Sequence, residues 1–188
     1  MEDSGFSPRS VRFWHDQLFV KPPKCGGNVA WHQDYSYWTR TRPVQHLTVH
    51  IALDSQTVPG IGGLDFVPGS HRWTRPLDGM EHGPLPITAI DFKDMNAIRE
   101  ILTAEEIKAW KPVNGNLEKG QVSFHHPMTV HGSNPNKSDS WRRAAVLNYF
   151  ADGTLSHSND EILHGFTPKG TSMGGKFHPL VFDAKMVE

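Results

Sequence analysis

The sequence predicts a mainly β chain, an all-β sandwich or barrel of short strands with one helical insert. Three observations predict it: short runs in which apolar and polar residues alternate, Gly/Pro turns that bound most of those runs, and one stretch with helical spacing.

Val11 to Val20 is the first strand, with His15, Gln17 and Phe19 expected on one side and Trp14, Leu18 and Val20 on the other. In Leu47 to Leu53 the odd positions form an apolar face, so His50 points away from it beside Thr48 and Ala52. Pro59-Gly60-Ile61-Gly62-Gly63 and Pro68-Gly69-Ser70 read as tight turns, where glycine permits positive φ. From Asp91 to Trp110 the spacing of Ile98, Ile101, Leu102, Ile107 and Trp110 predicts one or two helices, an insert around residues 94–110. Thr103 and Glu106 form a capping box within it. Val122 to His131 and Ala144 to Phe150 complete the strands. No repeat or linker divides the chain, so residues 1–188 are expected to form a single domain.

Charge is balanced, 19 Lys plus Arg against 20 Asp plus Glu, and the net charge of -1 supplies no field for nucleic acid or an anionic membrane. A small-molecule partner is expected instead. Cys25 is the single cysteine and has no internal partner, and no apolar stretch approaches the ~20 residues of a membrane span. With no secretion signal at the first residues, the expected location is intracellular, in the cytoplasm. Nothing in the sequence sets an oligomeric state. Twelve histidines in such a chain need an explanation.

Trp31-His32-Gln33-Asp34-Tyr35 contains a His-x-Asp, and two residues apart on a strand share a face. His131 stands late in the chain beside a turn and supplies a third ligand. Two imidazoles and a carboxylate that leave coordination positions open form the facial triad of non-haem Fe(II) oxygenases. Arg142 enters the strand that follows. A guanidinium there is expensive to bury unless it meets an anion, and a dicarboxylate such as 2-oxoglutarate pairs with it through two parallel hydrogen bonds. Arg143, its neighbour, should face the other way as a solvated charge. His125, His126 and His71 are read as structural.

Lys21-Pro22-Pro23, His32-Gln33-Asp34, Gly62-Gly63 before Pro68-Gly69-Ser70-His71, and His126-Pro127 before His131-Gly132-Ser133 follow one another, with Arg142 eleven residues beyond His131. In this order the motifs resemble the phytanoyl-CoA dioxygenase family over roughly Val11 to Gly153. The resemblance implies a double-stranded β-helix (a cupin-like jelly roll) and hydroxylation of an unactivated C–H bond in a small organic or lipid-like substrate. Fe(II), 2-oxoglutarate and dioxygen would take part, with release of succinate and carbon dioxide. It assigns the metal to His32, Asp34 and His131, the co-substrate carboxylate to Arg142 and Ser133, and further co-substrate contacts to Gln17 and His50, where the phytanoyl-CoA enzyme itself carries a tryptophan at the latter position. Tyr35 and Trp38, beside the metal motif, are candidates to line a substrate pocket. The presence of Asp34 favours hydroxylation over halogenation, since halogenating relatives lack this carboxylate.

Two departures stand out: the expected Gly-Asp before the late strand is Gly120-Gln121, and the region that usually precedes the first strand is absent. The second leaves open a fragment or a compact member. Two other functions stay open as well. A zinc hydrolase would use the same triad with an activated water, and a non-catalytic member of the family would act as a binding protein.

Overall fold

Alternation in the sequence becomes strand in the computed structural model, which describes residues 10–87, 94–160 and 167–186. The strands are β1 (Val11–Lys21), β2 (Val29–His32), β3 (Thr41–Arg42), β4 (His46–Ala52), β5 (Asp65–Phe66), β6 (Arg75–Leu77), β7 (Met80–Gly83), β8 (Val113–Asn114), β9 (Val122–His125), β10 (His131–Ser133), β11 (Arg142–Ala151), β12 (Leu155–Ser156) and β13 (Leu180–Phe182). They form sheets in the orders β13-β1-β11-β4-β9, β2-β10-β5-β8, β12-β3 and β6-β7. The mainly β class expected from the sequence is the class observed. Among the described residues, no helix is long and apolar enough to cross a membrane.

The chain divides into two compact units. Among the described residues, one draws on 10–16, Thr39–Leu47, 147–160 and 167–186. Within it β13 pairs antiparallel with β1 (Val11↔Phe182) and β12 with β3 (Leu155↔Arg42). Trp14, His46 and Phe150 pack ring against ring, with His178 on Phe150.

The other unit, Gln17–Trp38 and Thr48–Val146, carries every residue singled out above as a site candidate. Its apolar core is Trp31, Val67, Leu85, Ile87, Ile98 and Val130, with Trp73, Met95, Ile101, Leu102 and Trp110 packed against it. The helical insert is a 3-10 turn (Ala97–Ile101) followed by helix α1 (Ala104–Ala109), while residues 91–93 of the expected stretch lie outside the described residues. Extended backbone at Leu102 and Thr103 separates the two pieces. The five apolar positions therefore do not share one helical face, and Ile107 is left 48% exposed while Ile98 is buried.

The capping box forms as read: Thr103 Oγ1 accepts from the Glu106 amide and Glu106 accepts from the Thr103 amide. Glu106 also takes a two-pronged contact from Arg75, at 2.9 and 2.7 Å. Arg75 and the capping hydrogen bonds hold the Glu106 carboxyl below its ordinary range against the opposing effect of burial. A depressed folded pKa gives stability that is complete above the unfolded value and disappears as pH falls through the folded one. Glu106→Gln is therefore expected to lower unfolding free energy at pH 7 by about 1–2 kcal/mol, with the difference from the parent vanishing in acid. Urea unfolding at pH 7 and below pH 4 checks both.

Three strand expectations are corrected. The run Val122 to His131 is not one strand: Pro127 offers no N–H to a ladder, and the chain turns there between β9 and β10, which lie in different sheets. Along β1, Trp14 is buried whereas Leu18 and Val20, of the same parity, are exposed, so strict alternation does not run its length. In β4 the polar face is buried throughout: His46, Thr48, His50 and Ala52 are all buried, whereas the apolar face is mixed, with Val49 buried and Leu47 39% exposed. Polar residues buried on one face of a strand require partners there.

Candidate metal centre

β10 lies between β2 and β5, with His131 opposite His32 on one side and Phe66 on the other. Strand alternation sends Trp31 and Val130 into the apolar core, so their neighbours His32 and His131 emerge on the opposite face. Gly132 allows the strands to close up: a Cβ there would stand 3.0 Å from the Val29 carbonyl oxygen. The turns around the glycine-rich motifs hold this pair of strands in place. Gly62 has φ +71°, and a Cβ on it would meet the Asn134 carbonyl at 2.3 Å, which only glycine avoids. Ser70 donates to the Val67 carbonyl and accepts from the Val130 amide, tying the Pro-Gly-Ser turn to the residue before His131. The side-chain hydrogen bonds of that turn come from Ser70, and His71, read as structural, is exposed.

Gln33, between the two ligand candidates, is completely buried. Its amide donates to the carbonyls of Trp73 and Met128 and accepts from the Leu85 amide, so it pegs β2 to three separate loops. The backbone is still extended at Gln33, but Asp34 opens a 3-10 turn (Asp34–Tyr37) and does not continue the strand. Asp34 nonetheless faces the histidines. Ligand atoms of His32, Asp34 and His131 all lie within 4.8 Å of one another, with Asp34 Oδ1 3.4 Å from His32 Nε2 and 3.5 Å from His131 Nε2.

Each imidazole is oriented the same way. His32 Nδ1 lies 2.8 Å from the Ala30 carbonyl oxygen and His131 Nδ1 3.0 Å from that of Thr129, so each Nδ1 carries the proton and each Nε2 presents a lone pair inward. Burial pushes His131 down to about 3, keeping it neutral. Burial would raise the Asp34 carboxyl, but His131, His125 and His32 outweigh it and hold the group well below the ordinary carboxylate range. One carboxylate and two neutral imidazole nitrogens fit a first-row dication that accepts mixed N/O ligands.

Arg142, the first residue of β11, is 2% exposed, and its Nε and Nη2 are buried without a hydrogen-bond partner. Burial lowers it to about 10, still a cation at neutral pH. Its neighbour Arg143 points outward, as read, and pairs with Asp54. The charge of Arg142 reaches two other buried groups. Burial and then Arg142 lower Lys21 to about 8, and the same two causes, with His125 a third, lower His50 to about 3. Lys21 donates to Ser133 Oγ at 2.7 Å and to the Asn134 carbonyl at 2.6 Å, and Gln56 Nε2 lies 3.2 Å from His50 Nε2. A buried guanidinium with two unpaired donors fits a carboxylate.

Ser133 and His50 are thus buried within this polar cluster, whereas Gln17 is exposed on β1 and Lys21, four residues on, is the β1 side chain that enters it. Tyr35 is fully buried with its amide on the Pro127 carbonyl, and Trp38 is buried at the end of the same turn. The aromatic beside the metal motif is Tyr37, whose ring meets that of His32 edge-on at 5.9 Å. Burial and the nearby Asp34 charge raise its hydroxyl to about 12. Residues i and i+3 of a 3-10 turn lie on one side, so Tyr37 follows Asp34 where a strand would have exposed another residue. Sequence reasoning also missed Lys21, Gln56, Thr48 and His125 as parts of the site. Lys21 had a usable signal in the Lys-Pro-Pro motif.

A family model described as phytanoyl-CoA dioxygenase matches residues 4–144. A probable alpha-ketoglutarate-dependent hypophosphite dioxygenase of Stutzerimonas stutzeri is 30% identical over 149 residues, 78% of this chain and 47% of that protein. The chain thus spans about half the length of the curated relatives it matches. Among solved structures, the non-haem alpha-ketoglutarate-dependent carbocyclase SnoK of nogalamycin biosynthesis is similar with a TM-score of 0.68 and 24% identity, over 92% of this chain and 63% of that one. The epimerase SnoN, in complex with Fe3+, alpha ketoglutarate and nogalamycin RO, is similar with a TM-score of 0.64 and 21% identity, over 91% of this chain and 65% of that one. At this identity the likeness shows the fold, and it is the cupin-like double-stranded β-helix that the sequence motifs imply.

Proposed function

Because the chain belongs to the phytanoyl-CoA dioxygenase family, a family of Fe(II)- and 2-oxoglutarate-dependent oxygenases, we propose that it hydroxylates an unactivated C–H bond of a small organic or lipid-like molecule. The observation that carries the reading is Arg142: a buried guanidinium with two unpaired donors, in the same unit as the His32–Asp34–His131 cluster.

His32 and His131 offer Nε2 and Asp34 offers Oδ1 to the metal. Fe(II), when bound, supplies the activation of dioxygen that is coupled to conversion of 2-oxoglutarate into succinate and carbon dioxide. Arg142 grips the far carboxylate of the co-substrate through two parallel hydrogen bonds. Lys21, by donating to Ser133 Oγ, leaves the Ser133 hydroxyl proton available to the same carboxylate. His50, uncharged, adds a polar wall without a competing charge. Tyr37 stands beside His32, half exposed, and is a better candidate than Tyr35 to meet substrate. A zinc hydrolase would have no use for the unpaired guanidinium, and this favours the oxygenase over that alternative.

The test is succinate release by the Fe(II)-loaded chain against a metabolite library, with small phosphorus oxyanions included because of the Stutzerimonas relative. Substrate-dependent succinate with one hydroxylated product is the expected result. Metal uptake with no succinate over the whole panel would favour the binding-protein alternative and overturn the reading.

A further inference from the structure

We propose that Thr48 and His125 are positioning residues that restrict Asp34 to a single metal-facing oxygen. The inference rests on the reading of His32, Asp34 and His131 as metal ligands.

The two oxygens of Asp34 have different surroundings. Oδ1 faces His32 and His131. Oδ2 accepts from Thr48 Oγ1 at 2.6 Å and lies 3.1 Å from His125 Nε2. Both donors are buried, and they are direct cross-strand partners of β4 and β9, Thr48 opposite His125. Their separation is therefore fixed by sheet register and not by flexible side chains. To donate to an ionised carboxylate His125 must carry its proton on Nε2, and its Nδ1, buried without a partner, is better accommodated as a lone pair than as a stranded N–H. Phe66 and His131 pack on the His125 ring, with centroids at 5.2 and 4.5 Å, and hold its plane.

Two donors on Oδ2 leave that oxygen little capacity to join the metal. A carboxylate released from them would lose the orientation that sets Oδ1 toward His32 and His131, and the metal would lose a preformed ligand. The buried polar face of β4 thus acquires a purpose: Thr48 orients the ligand while His50, two residues on, lies in the Arg142 cluster. Outer-shell partners of metal ligands are typically worth 10- to 100-fold in metal affinity or activity.

The probe is Co(II), titrated into the metal-free chain, with thermal unfolding of the metal-free variants measured alongside. His125→Phe and Thr48→Val keep shape and remove the donor, whereas His125→Gln and Thr48→Ser retain one. Expected are Co(II) affinities about tenfold weaker or more for the Phe and Val variants, and affinities near the parent for the Gln and Ser variants, without a parallel order in unfolding temperature. Parent-like binding by His125→Phe and Thr48→Val would overturn the proposal. So would equal losses in the donor-retaining pair, since packing and not hydrogen bonding would then be responsible. A parent chain that takes up no Co(II) would instead overturn the metal-ligand reading, and this proposal with it.

Discussion

Arg142→Met is expected to raise the stability of the metal-free protein and, in the same molecule, to weaken 2-oxoglutarate binding by two orders of magnitude or more. The opposite signs follow from one fact, the burial of a guanidinium whose Nε and Nη2 have no partner. In the metal-free state the cation is desolvated without compensation, and nearby Lys21, lowered to about 8 by burial and by Arg142, bears the same strain. A methionine of similar length removes the unpaired donors and keeps the packing, worth about 1–3 kcal/mol. For a chain of this size that is a rise in unfolding temperature of roughly 2–4 °C per kcal/mol. Once the dicarboxylate is present the balance reverses, because breaking a buried, hydrogen-bonded ion pair costs about 3–5 kcal/mol and each 1.4 kcal/mol is tenfold in affinity. Calorimetric titration of 2-oxoglutarate into the metal-loaded variants, with unfolding scans of the metal-free ones, reads both signs. Unchanged 2-oxoglutarate affinity would remove Arg142 from the site.

The parts of the site legible in the sequence are those encoded over short distances or by a single costly residue. His32 and Asp34 are two positions apart, and extended backbone at Gln33 keeps them together even though Asp34 begins a turn. His131 and Arg142 were legible as a histidine at a turn and a cation in an apolar strand. Thr48 and His125 were not, because what joins them is the register of β4 on β9, which no local pattern specifies. The buried polar face of β4 was hidden for a related reason: alternation shows that two faces differ, and not which one is inside. Tyr37 was missed in favour of Tyr35 because a 3-10 turn changes the period from two to three at Asp34. Gln33, read only as the middle of a motif, is the peg on which both ligands hang.

Asp34→Ala should lose metal by the largest factor of any single change in this chain. Asp34 carries the only negative charge of the triad, and with His131 held neutral by burial the remaining donors are uncharged imidazoles. A unit charge pair at 4 Å is worth about 4 kcal/mol at an effective dielectric of 20, and a dication doubles it, so removing the carboxylate weakens binding by roughly three orders of magnitude or more. Substrate-dependent succinate release disappears with it. The alanine also leaves Thr48 Oγ1 and His125 Nε2 facing a small polar hole where the carboxylate stood. Those donors remain oriented by the β4–β9 register, so formate at high concentration should bind between them and restore part of the Co(II) affinity, whereas chloride, with no second oxygen to accept from Thr48 and His125, should restore less. Asp34→Asn, which fills the hole and keeps the shape without the charge, should gain nothing from formate. Co(II) titrations of the two variants with and without formate separate the electrostatic part of Asp34's role from its geometry. Retention of parent affinity by Asp34→Ala would show that the cluster is not where the metal binds.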